Sequence, residues 1–343
     1  MQALLLESYR ELKLRDVPVP DIGAEDVLIR VKACGICGSD VHGYDGSTGR
    51  RIPPIIMGHE AAGIVDRVGS DVRRFKPGDR VTFDSTISCG ACRFCEAGAV
   101  NLCEKREVLG VSCDEYRRHG AFAEYVSVPA RIVYPLPDEL SFAHAALIEA
   151  ISVAVHAAKI TPIRPGSTAV VIGAGMIGLL AIQAFRHYGC GRVFPVDVDE
   201  NRLKMARDLG ATDTFLGTGS DVVSQVLGVT DGRGAELVVD AVGTRESIAT
   251  AIESVCSGGT VTLIGNFAPK VEIPLQRVVN RQLRLLGSCA SAGEYPECIS
   301  LMQNGIVRVE SLVSAAAPLS DGIRWFERLY AREPGLMKVV LEP

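Results

Sequence analysis

Val170-Val171-Ile172-Gly173-Ala174-Gly175-Met176-Ile177-Gly178 joins a short apolar run to a GxGxxG turn and then to an apolar segment of helical character. In that setting each glycine serves a separate need, Gly173 for a tight turn, Gly175 for close approach of a pyrophosphate, Gly178 for packing helix on strand. The amides of Met176 and Ile177, at the positive end of the helix dipole, favour a bound anion. The next expected strand ends on Asp197, about where an acid grips the adenosine ribose hydroxyls. A carboxylate there repels a 2′-phosphate, so the pattern predicts NAD over NADP, with Asp199 adding to the bias and Arg202 lying along the adenosine.

Working outward, strands expected near Thr168–Ile172, Arg192–Asp197, Thr212–Leu216, Glu236–Asp240, Thr260–Ile264 and Leu283–Gly287 alternate with helices that include Met176–His187, Glu200–Leu209 and Arg245–Val255. This is the pattern of a doubly wound parallel sheet. Ligands of such sheets lie beyond the carboxyl ends of the strands, which adds Val242, Gly265, Phe267 and Ser288 to the expected cofactor contacts. Pro195 sits inside a predicted strand, where it costs a ladder hydrogen bond. Upstream, from Met1 to about Ala130, short β-like runs (Asp26–Ala33, Ala61–Val68, Arg80–Phe83, Phe122–Val128) are punctuated by Gly and Pro, as in a barrel-like unit. Ser141 can cap a helix running to about Lys159.

Length and composition agree with this division. A chain of 343 residues suits about two domains, and 47% hydrophobic with 22% charged residues excludes disorder. A net charge of −5 leaves no basic footprint for nucleic acid. The uncharged stretch Pro165–Phe185 is long enough to imitate a membrane span, but strand, turn and helix account for it, so no membrane partner is expected. The N-terminus shows no signal peptide, and the 11 cysteines cannot all pair, so a cytoplasmic location and metal-binding thiols are expected.

Cys89-Gly-Ala-Cys92-Arg-Phe-Cys95 followed by Cys103 has the spacing of four thiolates closing tetrahedrally on a structural Zn²⁺. A second constellation joins Cys34-Gly-Ile-Cys37-Gly-Ser39-Asp40-Val-His42 to Gly58-His59-Glu60. Thiolate, imidazole and carboxylate are the ligand set of an open, catalytic zinc site, with Cys34 the rival of Cys37 for the thiolate position.

The GxxCGSDVH segment, GHE, the four-cysteine lobe and GAGMIGL, in this order, resemble the zinc-dependent medium-chain alcohol and polyol dehydrogenases over almost the whole chain. The resemblance implies an α/β protein: an irregular β-barrel catalytic domain from residues 1–157 and 291–343, its zinc lobe at 86–108, with an NAD-binding Rossmann domain at 158–290 between them. It favours Cys37 over Cys34. It also likens Ala146-Leu147-Ile148-Glu149-Ala150-Ile151-Ser152-Val153 to the zinc glutamate stretch of sorbitol-type enzymes, so Cys37, His59, Glu60 and Glu149 are expected around the catalytic zinc. Ser39 takes the place of the family's hydroxyl relay, with His42 the next proton carrier. The implied holoenzyme carries two zinc ions per chain and NAD, and oxidises a secondary alcohol of a sugar alcohol to a ketose. Its implied assembly is a homodimer or homotetramer.

Ala290-Ser291 stands where sorbitol dehydrogenases place an Arg-Tyr pair, which points away from sorbitol toward another, or a phosphorylated, polyol. Tyr44, Phe122 and Glu294 are candidate pocket residues. L-threonine 3-dehydrogenase and 2,3-butanediol dehydrogenase share most of these motifs and are the rival activities. A zinc- and dinucleotide-binding regulatory protein is the rival outside enzymes.

Overall fold

The computed structural model describes residues 1–113 and 116–343, the side chain of Cys113 lying outside the described residues. The chain forms two compact units, one of 1–149, 291–303 and 309–343, the other of 150–290 and 304–308.

In the first unit a long strand, Asp26–Gly35, alternates Val27, Ile29 and Val31 into the core and pairs antiparallel with Glu60–Val68, Tyr125–Pro129 and the C-terminal Lys338–Glu342. Arg80–Phe83 and Val133–Pro135 extend this seven-stranded sheet on one side and Val313–Pro318 on the other. The register sets Gly35 opposite both Glu60 and Val340, so the far end of the chain meets the GHE segment. Ser141 does cap a helix, accepting the His144 N–H at 3.2 Å.

The second unit is a six-stranded parallel sheet with Thr168–Ile172 and Ala235–Asp240 at its centre. Its two central strands bury Ala169, Val170, Val171 and Ile172 and Ala235, Leu237, Val238 and Val239, as burial on both faces requires. The strand expected over Thr212–Leu216 is only Phe215–Leu216, and this accounts for Pro195. Val193 and Asp197 bond the Thr212–Gly217 side, so by alternation the missing N–H of Pro195 faces the same side, where pairing starts only at Phe215. The passage into this unit falls at Ala150, inside the helix Ile148–Ile160, and not at 157. The end of that helix belongs here because Thr161 Oγ1 bonds Thr262 Oγ1 at 2.7 Å. Residues 304–308 join it because the Gln183 amide bonds both backbone groups of Arg308. The run Phe142–Ile160 is apolar and long enough to cross a membrane, yet 67% of it is buried inside the protein, as for a core helix.

Candidate active site

Cys37 ends the turn after Asp26–Gly35 and caps the helix Gly38–Tyr44, while His59 and Glu60 enter the neighbouring strand. One ligand atom each from Cys37, His59 and Glu60 lies within 4.8 Å of the others; Cys34 and Glu149 are outside that group. This convergence of a thiol, an imidazole and a carboxylate fits an ion of the zinc type. Around it stands a buried shell. Asp40, with no exposure, accepts the Cys37 N–H at 3.3 Å, faces His59 Nδ1 at 3.3 Å and pairs with Arg51 at 3.1 Å. Burial opposes charge on both Asp40 and His59, but their mutual attraction outweighs it, lowering the carboxyl pKa and raising that of the imidazole. A carboxylate on Nδ1 would leave Nε2 as the nitrogen able to hold a metal; Nε2 lies 3.5 Å from Ser39 Oγ. His42 is half-buried one helical turn after Ser39, with burial lowering its pKa.

Glu60 is held by Lys338, whose ammonium lies 2.8 and 2.6 Å from its two oxygens and 3.2 Å from the Ile36 carbonyl. Glu149 is half-buried and takes a 3.4 Å hydrogen bond from Ser85 Oγ; burial pushes its carboxyl up to about 7. Beside it in the same unit, Asp84 accepts the Thr86 N–H at 2.8 Å and the Ser291 hydroxyl at 3.2 Å, and burial raises it also to about 7. Of the candidate pocket residues, Glu294 is buried against the Ala292 N–H. Tyr44 and Phe122 instead pack on Phe326, the Tyr44 hydroxyl donating to the Arg10 carbonyl at 2.8 Å. Sequence reasoning missed Asp40, Arg51, Asp84 and Lys338 as parts of this region. Asp40 had a local signal, two residues before His42 in a ligand motif.

In the four-cysteine lobe, one sulfur each of Cys89, Cys92, Cys95 and Cys103 lies within 4.8 Å of the rest. Backbone N–H groups point at these sulfurs, Cys89 and Lys105 donating to Cys103 Sγ at 3.2 and 3.4 Å, and such donors hold Cys92 down to about 6. Four converging thiols with amide donors suit tetrahedral zinc.

In the second unit Gly173 has φ +90°, and a Cβ on Gly178 would collide with the Gly173 carbonyl. Over Gly175, which caps the helix Met176–His187, a Cβ would meet nothing, leaving room at the amides of Met176 and Ile177. Asp197 accepts the amides of Ala174, Val198 and Asp199 at 2.7–3.0 Å, and Arg202 lies 3.8 Å from it. Val242, Gly265, Phe267 and Ser288 follow the carboxyl ends of their strands, and the Ser288 hydroxyl is buried without a protein partner. The open glycine turn, the fixed carboxylate and that orphaned hydroxyl fit a dinucleotide.

Residues 23–138 match the family described as the alcohol dehydrogenase GroES-like domain, and residues 177–304 that described as zinc-binding dehydrogenase. Sorbitol dehydrogenase of Bacillus subtilis (strain 168) is 35% identical over 348 residues, covering 100% of this chain and 97% of its own. A zinc-binding dehydrogenase of Sinorhizobium meliloti 1021, solved bound to NADP, superposes with a TM-score of 0.90 at 33% identity, covering 100% of this chain and 99% of its own. Galactitol-1-phosphate dehydrogenase from Escherichia coli gives a TM-score of 0.90 at 26% identity, with both chains covered completely (100%).

Proposed function

The chain belongs to the zinc-binding alcohol dehydrogenase family, and from that premise we propose that it oxidises a secondary hydroxyl of a sugar alcohol to the ketose with NAD. The observation that carries this reading is Glu149, half-buried and bonded by Ser85 beside the Cys37–His59–Glu60 cluster. It adds a carboxylate that suits a substrate presenting neighbouring hydroxyls.

Zinc and NAD supply, when bound, the Lewis acid that makes an alcohol hydroxyl acidic near neutral pH and the acceptor of its C–H hydride. Cys37 and His59 hold the catalytic metal, with Glu149 and Glu60 the carboxylates that can complete it; Cys89, Cys92, Cys95 and Cys103 hold the structural one. Asp40 fixes the His59 imidazole. Ser39 Oγ accepts the proton of the substrate hydroxyl, and His42 carries it onward. Replacing Ser39 with Ala is expected to lower kcat by ~10²–10⁴; an unchanged kcat removes Ser39 from the reaction.

Gly173, Gly175 and Gly178 with Met176 and Ile177 cradle the pyrophosphate, and Val242, Gly265, Phe267 and Ser288 line the cofactor. Asp197, with Arg202 against it, selects NAD over NADP. Steady-state titrations test this choice, and a lower KM for NADP than for NAD overturns it. Sugar alcohols and their phosphates, assayed with NAD by NADH absorbance, test the substrate class; greater activity on L-threonine or 2,3-butanediol than on every polyol refutes it.

The reading extends to assembly and compartment. A homodimer or homotetramer is supported by the edge strand Arg284–Gly287, half-exposed, and by Leu275 and Val279 exposed on the preceding helix. Light scattering in solution measures it. A cytoplasmic location is supported by the thiols of Cys89, Cys92, Cys95 and Cys103, which converge as a metal-ligand set and not as disulfides.

A further inference from the structure

Arg51 is charged, follows another arginine in a loop, and by composition belongs in solvent; yet it is only 3% exposed. Its backbone is pinned on both sides, the Ser112 N–H donating to the Arg50 carbonyl at 3.0 Å and the Ile52 N–H to the Ser112 carbonyl at 3.2 Å. Its side chain lies across Gly43, where any Cβ would collide with Arg51 Cγ. At its tip a single guanidinium nitrogen, Nη2, is 3.1 Å from Ser39 Oγ and 3.1 Å from Asp40 Oδ1. That nitrogen has two hydrogens, one for each oxygen. The same Asp40 oxygen faces His59 Nδ1 at 3.3 Å. The guanidinium thereby ties the hydroxyl next to the metal cysteine to the carboxylate that orients the metal histidine.

We propose that Arg51 is a positioning residue that sets the proton polarity of Ser39. A guanidinium only donates. It therefore occupies one lone pair of Ser39 Oγ and leaves the other lone pair and the O–H. An oxygen so placed can accept a proton on one side and release its own on the other, and the adjacent positive charge stabilises it when it is briefly electron-rich. Without Arg51 the hydroxyl is free to rotate and to turn its proton toward the incoming one. The competing account, in which Arg51 does nothing but balance the buried Asp40, gives the arginine no dependence on Ser39. The proposal rests on the relay reading of Ser39 above.

A double-mutant cycle separates the two. Wild type, Arg51→Met, Ser39→Ala and the double variant are compared for zinc content per chain, KM for NAD and polyol, and kcat. Arg51→Met is expected to keep its zinc, to hold both KM values within about 3-fold, and to lose about 10–100-fold in kcat, as for one hydrogen bond to a charged group. In the Ser39→Ala background the same change is expected to cost less than about 3-fold. Equal losses in both backgrounds, an unchanged kcat in Arg51→Met, or loss of zinc accompanying the loss of kcat overturns the assignment. Arg51→Lys keeps the buried charge and gives up the planar fork, so it carries the same cycle if the Met variant does not fold. The functional reading fails by a different result: wild type, with its zinc, oxidising no secondary alcohol.

Discussion

Replacing Lys338 with Met is expected to destabilise the unit that carries the catalytic cluster by about 3–5 kcal/mol, the usual cost of removing one partner of a buried ion pair. Lys338 is 2% exposed and Glu60 1%, and the ammonium is bonded to both carboxylate oxygens as well as to the Ile36 carbonyl. The variant leaves a buried carboxylate and a buried carbonyl facing a thioether. Glu60 also lies in the Cys37–His59–Glu60 cluster, and Lys338 is the side chain that bonds both of its oxygens. The double variant Lys338→Met with Glu60→Gln is expected to recover much of the loss, because a neutral amide costs far less to bury than an unpaired charge. Chemical unfolding of the zinc-free proteins measures this. A Lys338→Met midpoint equal to wild type, or a double variant less stable than the single one, contradicts the account.

The reason Lys338 escaped a reading of the sequence is instructive. The motifs around Cys37, His59, Cys89–Cys103 and Gly173–Gly178 are local: chemistry and spacing lie within a few residues, and each set of side chains converges in the structure. The strands Thr168–Ile172 and Arg192–Asp197 and the helix Met176–His187 are equally local, set by runs of apolar residues and the breakers between them. Lys338 reaches Glu60 only because the last strand pairs with Asp26–Gly35, Val340 opposite Gly35, across a separation of 278 residues. No periodicity announces that pairing; the C-terminal stretch loses its alternation where it returns to the first unit. Arg51 and Asp84 were hidden for a different reason. A charged residue is assigned to solvent unless its partners are known, and theirs, Ser39 with Asp40 and Thr86 with Ser291, are fixed by turns and by chain crossings. Pro195 shows the converse. The proline itself argued against the strand that its neighbours predict, and the strand survives because the adjacent Phe215–Leu216 is too short to require the missing N–H.

Asp84→Asn is expected to stabilise the protein above neutral pH, by up to about 4 kcal/mol, and to have little effect below about pH 4. Asp84 is 4% exposed, and burial raises its carboxyl from 3.8 to about 7, with Glu149 and Glu294 adding negative charge nearby and Thr86 and Ser291 opposing the shift. The sign follows from proton counts. Between roughly pH 4 and 7 the folded protein keeps a proton on Asp84 that the unfolded chain has released, so the folded state binds more protons and its stability falls as pH rises through that window. Above 7 the ionised carboxylate remains a constant cost; below 4 both states are protonated and the cost vanishes. Asparagine can accept the Thr86 N–H at its oxygen and donate from its amide nitrogen to the Ser291 hydroxyl, which turns to accept, yet has no charge to bury. Unfolding curves of wild type and variant across pH 4–8 should therefore converge in acid and diverge toward neutrality, with the variant above. Parallel curves, or a variant below wild type at pH 8, would show Asp84 to be ionised and well solvated or paired in the fold. The stacked Tyr134 and Tyr295 rings nearby in this unit, the Tyr295 hydroxyl buried without a partner, make that alternative costly, since a carboxylate would gain no cation there.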